Sequence, residues 1–300
     1  MDDLIGAGVT SLDHRLVAPA DGARIGLGGG ALGDLDVDSA VELLDAAADH
    51  DFACVDVARS YGAAEDVLGA CLRARPELPL AVVTKGGYAV EDGSDDWSAA
   101  AVRCAIDDAR RRLGRDRLDV FLLHSCAAHV LRRDDVAAAL HDALRAGAVR
   151  AVGYSGDNDD LHIALDRAAA LGLTVVEQSL SLLDGKARVH TLPRARQLGL
   201  VVIAKRALAN APWRDDESHD ARRQRARLER ATLPDVGLPL DELFLRFALF
   251  HQGVDVVLVG TRRVEAIARA ASLRAKGPLS DDTIAALRPS LARLDDDSLI

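Results

Sequence analysis

Two stretches decide how this chain is read: Val55-Asp56-Val57-Ala58-Arg59-Ser60-Tyr61-Gly62 and Leu80-Ala81-Val82-Val83-Thr84-Lys85. Each is a short apolar run that gives way to polar residues, the pattern of a buried strand running out into a loop. Together they deliver a carboxylate, a phenol and an ammonium at strand ends. Parallel α/β proteins put their catalysts there, because the packed core fixes the strand while the loop leaving it faces solvent and substrate. Asp56, Tyr61 and Lys85 are therefore candidate catalytic residues.

The same alternation runs through most of the chain. Apolar runs predict strands near 23–28, 52–57, 79–85, 118–123, 149–154, 173–178, 200–204 and 255–259. Segments of helical period predict helices over 38–50, 63–73, 98–113, 133–146, 158–171, 188–198, 239–250 and 263–273. Gly114, Gly147, Gly172 and Gly199 stand where helices should end. Eight strand–helix units in one cycle favour a closed barrel over an open doubly wound sheet. Ser280 fits the N-cap of an extra C-terminal helix over 281–294, and Asp281 and Asp282 suit its first turn. Short alternating stretches within residues 8–24, such as Val9-Thr10-Ser11-Leu12 and Arg15-Leu16-Val17, predict a small N-terminal β-hairpin. Residues 205–238 interrupt the rhythm after the seventh strand and are expected as a long loop over the catalytic face. The expected fold class is thus α/β, a single-domain (β/α)8 TIM barrel over residues 1–300.

Composition narrows the function. A 300-residue chain that is 49% hydrophobic and 28% charged can bury one large core. A formal net charge of −10 repels phosphate backbones and argues against a nucleic-acid partner. The basic run Arg222-Arg223-Gln224-Arg225-Ala226-Arg227 lies among Glu217, Asp220 and Glu229 and reads as a solvated helix face. No apolar h-region stands near Met1 and no stretch reaches the roughly 18 apolar residues of a membrane span, so a cytoplasmic protein without a membrane partner is expected. Cys54, Cys71, Cys104 and Cys126 lie too far apart for a zinc knuckle and read as reduced thiols, with no metal.

Gly28-Gly29-Gly30-Ala31-Leu32-Gly33 matches G-x-G-x-x-G after a strand. As a dinucleotide fingerprint it would cradle a pyrophosphate and make Asp56 a ribose ligand. Helical periodicity does not begin directly after Gly33, and the eight-unit rhythm offers no reversal of strand order. A tight loop at a barrel mouth is the better reading.

His124 ends the run Leu118-Asp119-Val120-Phe121-Leu122-Leu123 and joins the other three candidates. A phenol with a pKa of about 10 exchanges protons poorly at neutral pH, and an adjacent ammonium lowers that value by favouring the phenolate. Lys85 can supply the ammonium, and Asp56 the counter-charge that a buried lysine needs. His124 would hydrogen-bond the substrate oxygen and fix its approach to Tyr61.

In these motifs the chain resembles the aldo/keto reductase superfamily: Asp56-x4-Tyr61-Gly62, Glu65-x2-Leu68-Gly69, Thr84-Lys85, Leu122-Leu123-His124 and Gly147-x-Val149-Arg150-Ala151-Val152-Gly153-Tyr154-Ser155. Gln178, Ile203-Ala204 and Val259-Gly260-Thr261 continue the pattern, so the resemblance runs from about residue 23 to 274. It implies a barrel that binds NADPH, or NADH, across its mouth without a Rossmann domain, and reduces an aldehyde or ketone reversibly. It further implies Tyr61 as general acid, Lys85 as modulator of its pKa, Asp56 as partner of Lys85, and His124 as carbonyl-orienting group. Ser155 and Gln178 match the residues that hold the nicotinamide carboxamide. Gly260, Thr261, Arg262 and the following Arg263 stand as phosphate ligands near the adenosine end, where an arginine fork suits a 2′-phosphate.

The chain departs from the pattern on the cofactor side. Gly156 follows the serine where asparagine is common, Lys205 stands where an aromatic residue often stacks on nicotinamide, and Arg269-Ala270 replaces a frequent Glu-Asn pair. Candidate pocket residues are Tyr88, Trp97, Cys126, His129, Lys205, Arg206 and Trp213, of which Lys205 and Arg206 are also expected to touch the cofactor. With 3% aromatic residues, and with Lys205 and Arg206 at the mouth, an oxygen-rich or anionic carbonyl substrate is expected. Two rival readings stand beside this one: a cofactor-binding regulatory subunit with weak catalysis, which the resemblance also allows, and a barrel that uses bound nicotinamide for a redox-neutral isomerisation or elimination.

Overall fold

The computed structural model describes residues 14–87, 97–156, 158–214 and 219–296. Eight strands run Arg24–Gly28 (β1), Cys54–Asp56 (β2), Ala81–Gly86 (β3), Leu118–His124 (β4), Val149–Ser155 (β5), Val175–Ser179 (β6), Val201–Lys205 (β7) and Val256–Gly260 (β8). All pair in parallel in chain order, and β8 pairs with β1 to close the barrel. The helices are Val37–Asp49 (α1), Ala64–Ala74 (α2), Ala99–Leu113 (α3), Asp134–Arg145 (α4), Asn158–Ala170 (α5), Leu192–Gln197 (α6), His219–Ala231 (α7), Leu240–Leu249 (α8), Val264–Ala275 (α9) and Asp281–Asp296 (α10). The fold is the (β/α)8 TIM barrel expected from the alternation.

Local chemistry sets the boundaries. Asp36 and Ser98 cap α1 and α3 by accepting from the amides of Ser39 and Ala101, and Ser280 accepts from Thr283 at 3.2 Å ahead of α10. Gly114, Gly147, Gly172 and Gly199 all take positive φ, as a left-handed helix end requires. After the Gly28–Gly30 loop the chain makes a short 3-10 turn, Leu32–Asp34, and α1 begins only at Val37. A phosphate-cradling helix directly behind the glycines is thus absent.

The barrel interior is a separate cluster of Leu16, Cys54, Ala81, Val83, Val120, Leu122, Ala151, Val175, Val201, Ile203, Val256 and Leu258. On each strand these residues share one parity, because side chains alternate across a strand. Close packing inside leaves no room for a side chain at Gly153, where a Cβ would lie 2.1 Å from the Val175 carbonyl oxygen. Strand residues of the other parity pack outward against the helices in the larger core.

Two expectations at the ends and in the long connection change. The Arg15-Leu16-Val17 half of the expected N-terminal hairpin is instead a 3-10 turn, His14–Leu16, and the first strand among the described residues is β1. Leu16, fully buried, drops into the interior cluster and closes the bottom of the barrel, so an apolar side chain bedded in the core outweighs weak strand alternation. The other half, Val9 to Leu12, lies outside the described residues. The 205–238 connection contains α7, and its apolar residues join Leu182, Leu183, Phe244 and Leu287 in a third cluster beside the barrel. Among its described residues, those from Lys205 to Arg214 reach the mouth.

Candidate active site

Counting two residues onward from the interior cluster, strand by strand, leads to the mouth of the barrel. Cys54 leads to Asp56, Val83 to Lys85, Leu122 to His124, Val175 to Glu177, Ile203 to Lys205 and Leu258 to Gly260, while Ala151 leads through Gly153 to Ser155. One parity thus brings Asp56, His124, Glu177, Lys205 and Gly260 into the lining of a cavity of about 550 Å³, together with Gly28 and Tyr61, while Lys85 and Ser155 lie buried behind it.

Tyr61 reaches this cavity from the loop after β2. Its amide donates to the Ala58 carbonyl at 3.0 Å, its carbonyl accepts from Ala64 at 3.1 Å, and Arg59 donates to the Lys85 carbonyl at 3.2 Å. Gly62 takes φ +57°, which lets the chain turn from Tyr61 into α2. Buried Thr84 donates to Glu65 at 2.7 Å and ties α2 to β3 beside Lys85.

Lys85 is fully buried, and its ammonium donates to Asp56 and, at 3.2 Å, to the Val57 carbonyl. It also lies 3.3 Å from Glu177 Oε2 and 5.2 Å from the centre of the Tyr61 ring. The Tyr61 and His124 rings meet edge to face, 5.9 Å apart, and His124 Nδ1 is 3.4 Å from Ser60 Oγ. On the far side Ser155 donates to Glu177 Oε1 at 3.0 Å and accepts from Lys205 Nζ at 3.1 Å. Lys205 Nζ also lies 3.8 Å from Glu177 Oε1.

The charges act on one another in a buried setting, where screening is weak. Burial disfavours the Lys85 ammonium, but Asp56 and then Glu177 outweigh it and raise its pKa far above the ordinary lysine range. Burial raises the Asp56 carboxyl, Glu177 raises it further, and Lys85 pulls against both; the net direction is upward. Glu177 is equally buried, yet Lys85 and then Lys205 hold its carboxyl below the usual range. Tyr61 departs from expectation: burial lifts its phenol above the ordinary value, and Asp56 and Glu177 add to that rise against the pull of Lys85. The ammonium expected to lower it is shared between two carboxylates.

Gln178 does not share this site. It stands on the parity of Val176, is fully buried, leaves both amide atoms without a hydrogen-bond partner, and is absent from the cavity lining. Glu177 stands where Gln178 was expected, in register with Ser155 across β5 and β6. A shift of one residue in a strand sends the side chain to the opposite face. The sequence carried the needed signal, since Glu177 is two residues beyond interior Val175.

The other expected residues divide. Lys205, Arg206 and Gly260 line the main cavity. Thr261 lines an adjoining cleft of about 170 Å³ with Arg263, Glu265, Arg269 and Ala270, at the start of α9. Arg262 lines neither and lies 3.6 Å from Asp34 at the surface. Cys126 is buried, and its carbonyl accepts from the Tyr154 hydroxyl at 2.8 Å. Trp97 is packed in the outer core and His129 is exposed, neither lining the cavity. Trp213 packs against Phe244, ring centres 5.3 Å apart, in the cluster beside the barrel. Tyr88 lies outside the described residues. Arg206, Ala209, Asn210 and Ala211 bend the chain over the cavity with positive φ at non-glycine residues, a conformation that concentrates at functional sites.

Barrel, mouth cavity and buried cluster of titratable groups together define an α/β-barrel protein with a candidate active site at the C-terminal ends of its strands. The chain belongs to the aldo/keto reductase family, whose model matches residues 24–291. It is 33% identical over 173 residues to a 6-dehydroglucose reductase of Novosphingobium aromaticivorans, a match covering 56% of this chain and 55% of that protein. With a D-threo-aldose 1-dehydrogenase of a Pseudomonas species it shares 26% identity over 269 residues, covering 81% and 80% of the two chains. Among solved structures it is similar to an aldo-keto reductase from Bacillus halodurans in its holo form, with TM-score 0.73, 23% identity and coverage of 90% and 91%. An aldo/keto reductase from Klebsiella pneumoniae, in complex with NADP and acetate, superposes with TM-score 0.69 at 26% identity, covering 90% of each chain.

Proposed function

We propose that the protein is a nicotinamide-dependent carbonyl reductase that converts an oxygen-rich aldehyde or ketone, of the sugar class, reversibly to the alcohol. The observation that carries this reading is the meeting of Tyr61, His124 and Asp56 in the lining of one cavity, with the buried Lys85 ammonium paired to Asp56 and 5.2 Å from the centre of the Tyr61 ring. Bound cofactor would supply the hydride for the carbonyl carbon. Tyr61 gives its phenolic proton to the carbonyl oxygen as the π pair moves onto it, leaving an alcohol and a phenolate. His124 orients that oxygen beside the phenol. Lys85, held by Asp56, stands by the ring and stabilises the phenolate until it regains a proton through the open mouth. Oxidation runs the same transfers backward.

The residues present fit a dinucleotide. Gly28 and Gly260 face each other across β1 and β8 at the mouth, and a Cβ on Gly28 would come within 3.3 Å of Gly260 backbone, so backbone and not side chain bounds the cavity there. The adjoining cleft offers Thr261 and Arg263 at the N-terminal end of α9, with Arg269 in the middle of the helix, where it pairs with Asp241 at 3.2 Å. A helix N-terminus and guanidinium groups both attract phosphate. Arg263 at that end favours NADPH over NADH. Lys205 and Ser155 would hold the nicotinamide end.

The substrate class rests on the polar lining of the cavity, with Ser60, His124, Lys205, Arg206, Asn210 and Arg214 and, among the described residues, Tyr61 as its one phenyl ring. Hydroxylated carbonyls present many acceptors to such donors. The names of the two curated relatives, a dehydroglucose reductase and an aldose dehydrogenase, point the same way. Free thiols at Cys54, Cys71, Cys104 and Cys126 are in keeping with a cytoplasmic enzyme. No helix among the described residues is long and apolar enough to cross a membrane.

The test is a fluorescence titration with NADPH and NADH, followed by a panel of aldoses, keto sugars, keto acids and neutral aromatic aldehydes scored for cofactor oxidation. Turnover led by sugars supports the reading. Consistent superiority of aromatic aldehydes overturns the substrate class, and cofactor binding without turnover on any carbonyl overturns the activity.

A further inference from the structure

Glu177 is a buried carboxylate that the reaction above does not use. Its side chain is 1% exposed, yet it stands among the acid–base groups. Oε1 takes the Ser155 hydrogen at 3.0 Å and lies 3.8 Å from Lys205 Nζ, while Oε2 lies 3.3 Å from Lys85 Nζ. Lys205 is 15% exposed and completes the arrangement by donating to Ser155. Two carboxylates, Asp56 and Glu177, therefore divide Lys85, and the second ammonium belongs to Glu177 and Ser155. The formal charge of these four groups is zero, as burial of ions demands. Asp56 Oδ2 and Glu177 Oε2 each accept no hydrogen bond.

We propose that Glu177, braced by Ser155 and Lys205, is a positioning residue for proton transfer: it shares Lys85 with Asp56 and so withholds from Tyr61 part of the ammonium's field. The inference rests on the reading of Tyr61 as proton donor. Around that phenol stand Asp56 from β2, Lys85 from β3, His124 from β4, Glu177 from β6, and Lys205, Arg206 and Arg214 from β7 and the segment after it. Of these, Asp56 and Glu177 oppose the phenolate, and Lys85 favours it. With Glu177 charged, Tyr61 stays a phenol, the form that donates. The charge of Glu177 thus biases the site toward reduction at neutral pH and moves the base-catalysed oxidation to higher pH, and Lys205, by offsetting part of that charge, limits the bias.

The direct test is ionisation of Tyr61, read as tyrosinate absorbance against pH in the free protein, with the Tyr61→Phe titration subtracted. Glu177→Gln keeps the shape and removes the charge, and it should lower the Tyr61 midpoint by roughly one pH unit, since a like charge near an acid raises its pKa. Lys205→Met should raise the midpoint, and the double variant Glu177→Gln/Lys205→Met should return toward wild type. The pH limb of carbonyl reduction should move with the absorbance midpoint in each variant. An unchanged midpoint in folded Glu177→Gln overturns the proposal. Should that variant fail to fold, an unchanged or lowered midpoint in Lys205→Met overturns it instead. The absorbance titration needs neither cofactor nor carbonyl, so a protein that titrates as stated but reduces no carbonyl refutes the reading of function and leaves the charge arrangement standing.

Discussion

Ser155 and Glu177 stand in register on neighbouring strands, and the Ser155 hydroxyl donates to Glu177 at 3.0 Å. That bond joins the Asp56–Lys85 pair to Lys205, so the mouth of the barrel holds one continuous network of charges. Its behaviour with pH follows from the groups that face Tyr61.

Burial, Asp56 and Glu177 lift the Tyr61 phenol above its ordinary value. Reduction needs the protonated phenol, so kcat/KM in that direction should persist through about pH 10, the usual tyrosine value, and fall only beyond it. Oxidation needs the phenolate, so it should still be climbing there. Paired pH profiles of the two directions check this; a reduction limb falling near neutrality would contradict the sign.

The barrel was legible because Val, Ile and Leu runs alternate with helical segments and end at Gly114, Gly147, Gly172 and Gly199. Asp56, Lys85 and His124 were legible because each closes such a run. Glu177 was harder to read: Glu177 and Gln178 are adjacent polar residues, and only the parity counted from Val175 tells which faces inward. Trp213 and Cys126 looked like pocket residues because they sit in loops near the mouth, but contact with Phe244 and burial under Tyr154 claim them for packing. The pKa direction of Tyr61 required knowing that a second carboxylate reaches Lys85, a contact between β3 and β6 that no local pattern contains.

The cleft at the start of α9 should distinguish the two nicotinamide cofactors. Arg263 lines it, is exposed, and precedes the helix. Arg263→Ala should weaken NADPH roughly tenfold, the loss of one charge-assisted hydrogen bond, and leave NADH nearly unchanged. Dissociation constants for both cofactors measure the difference.

Thr84 and Glu65 form a buried bond between β3 and α2. Thr84→Val would leave Glu65 Oε1 without that donor in a site where its other oxygen already has none. A loss of about 1–3 kcal/mol in unfolding free energy is expected for an unsatisfied buried polar group. Urea denaturation reads it.

Leu16 fills the bottom of the barrel at 0% exposure. Leu16→Ala should lower stability by about 2–5 kcal/mol through lost burial and the cavity left behind. Binding of NADPH at the opposite end should survive in the folded fraction, which a titration below the unfolding transition measures.

The central claim is that Tyr61 supplies the proton for carbonyl reduction. Steady-state kinetics of Tyr61→Phe, with NADPH and the best carbonyl of the panel, test it most directly. The account predicts a fall in kcat of roughly 10²–10⁴, the usual contribution of a general acid, with the NADPH dissociation constant nearly unchanged. Turnover close to that of the wild type would contradict it.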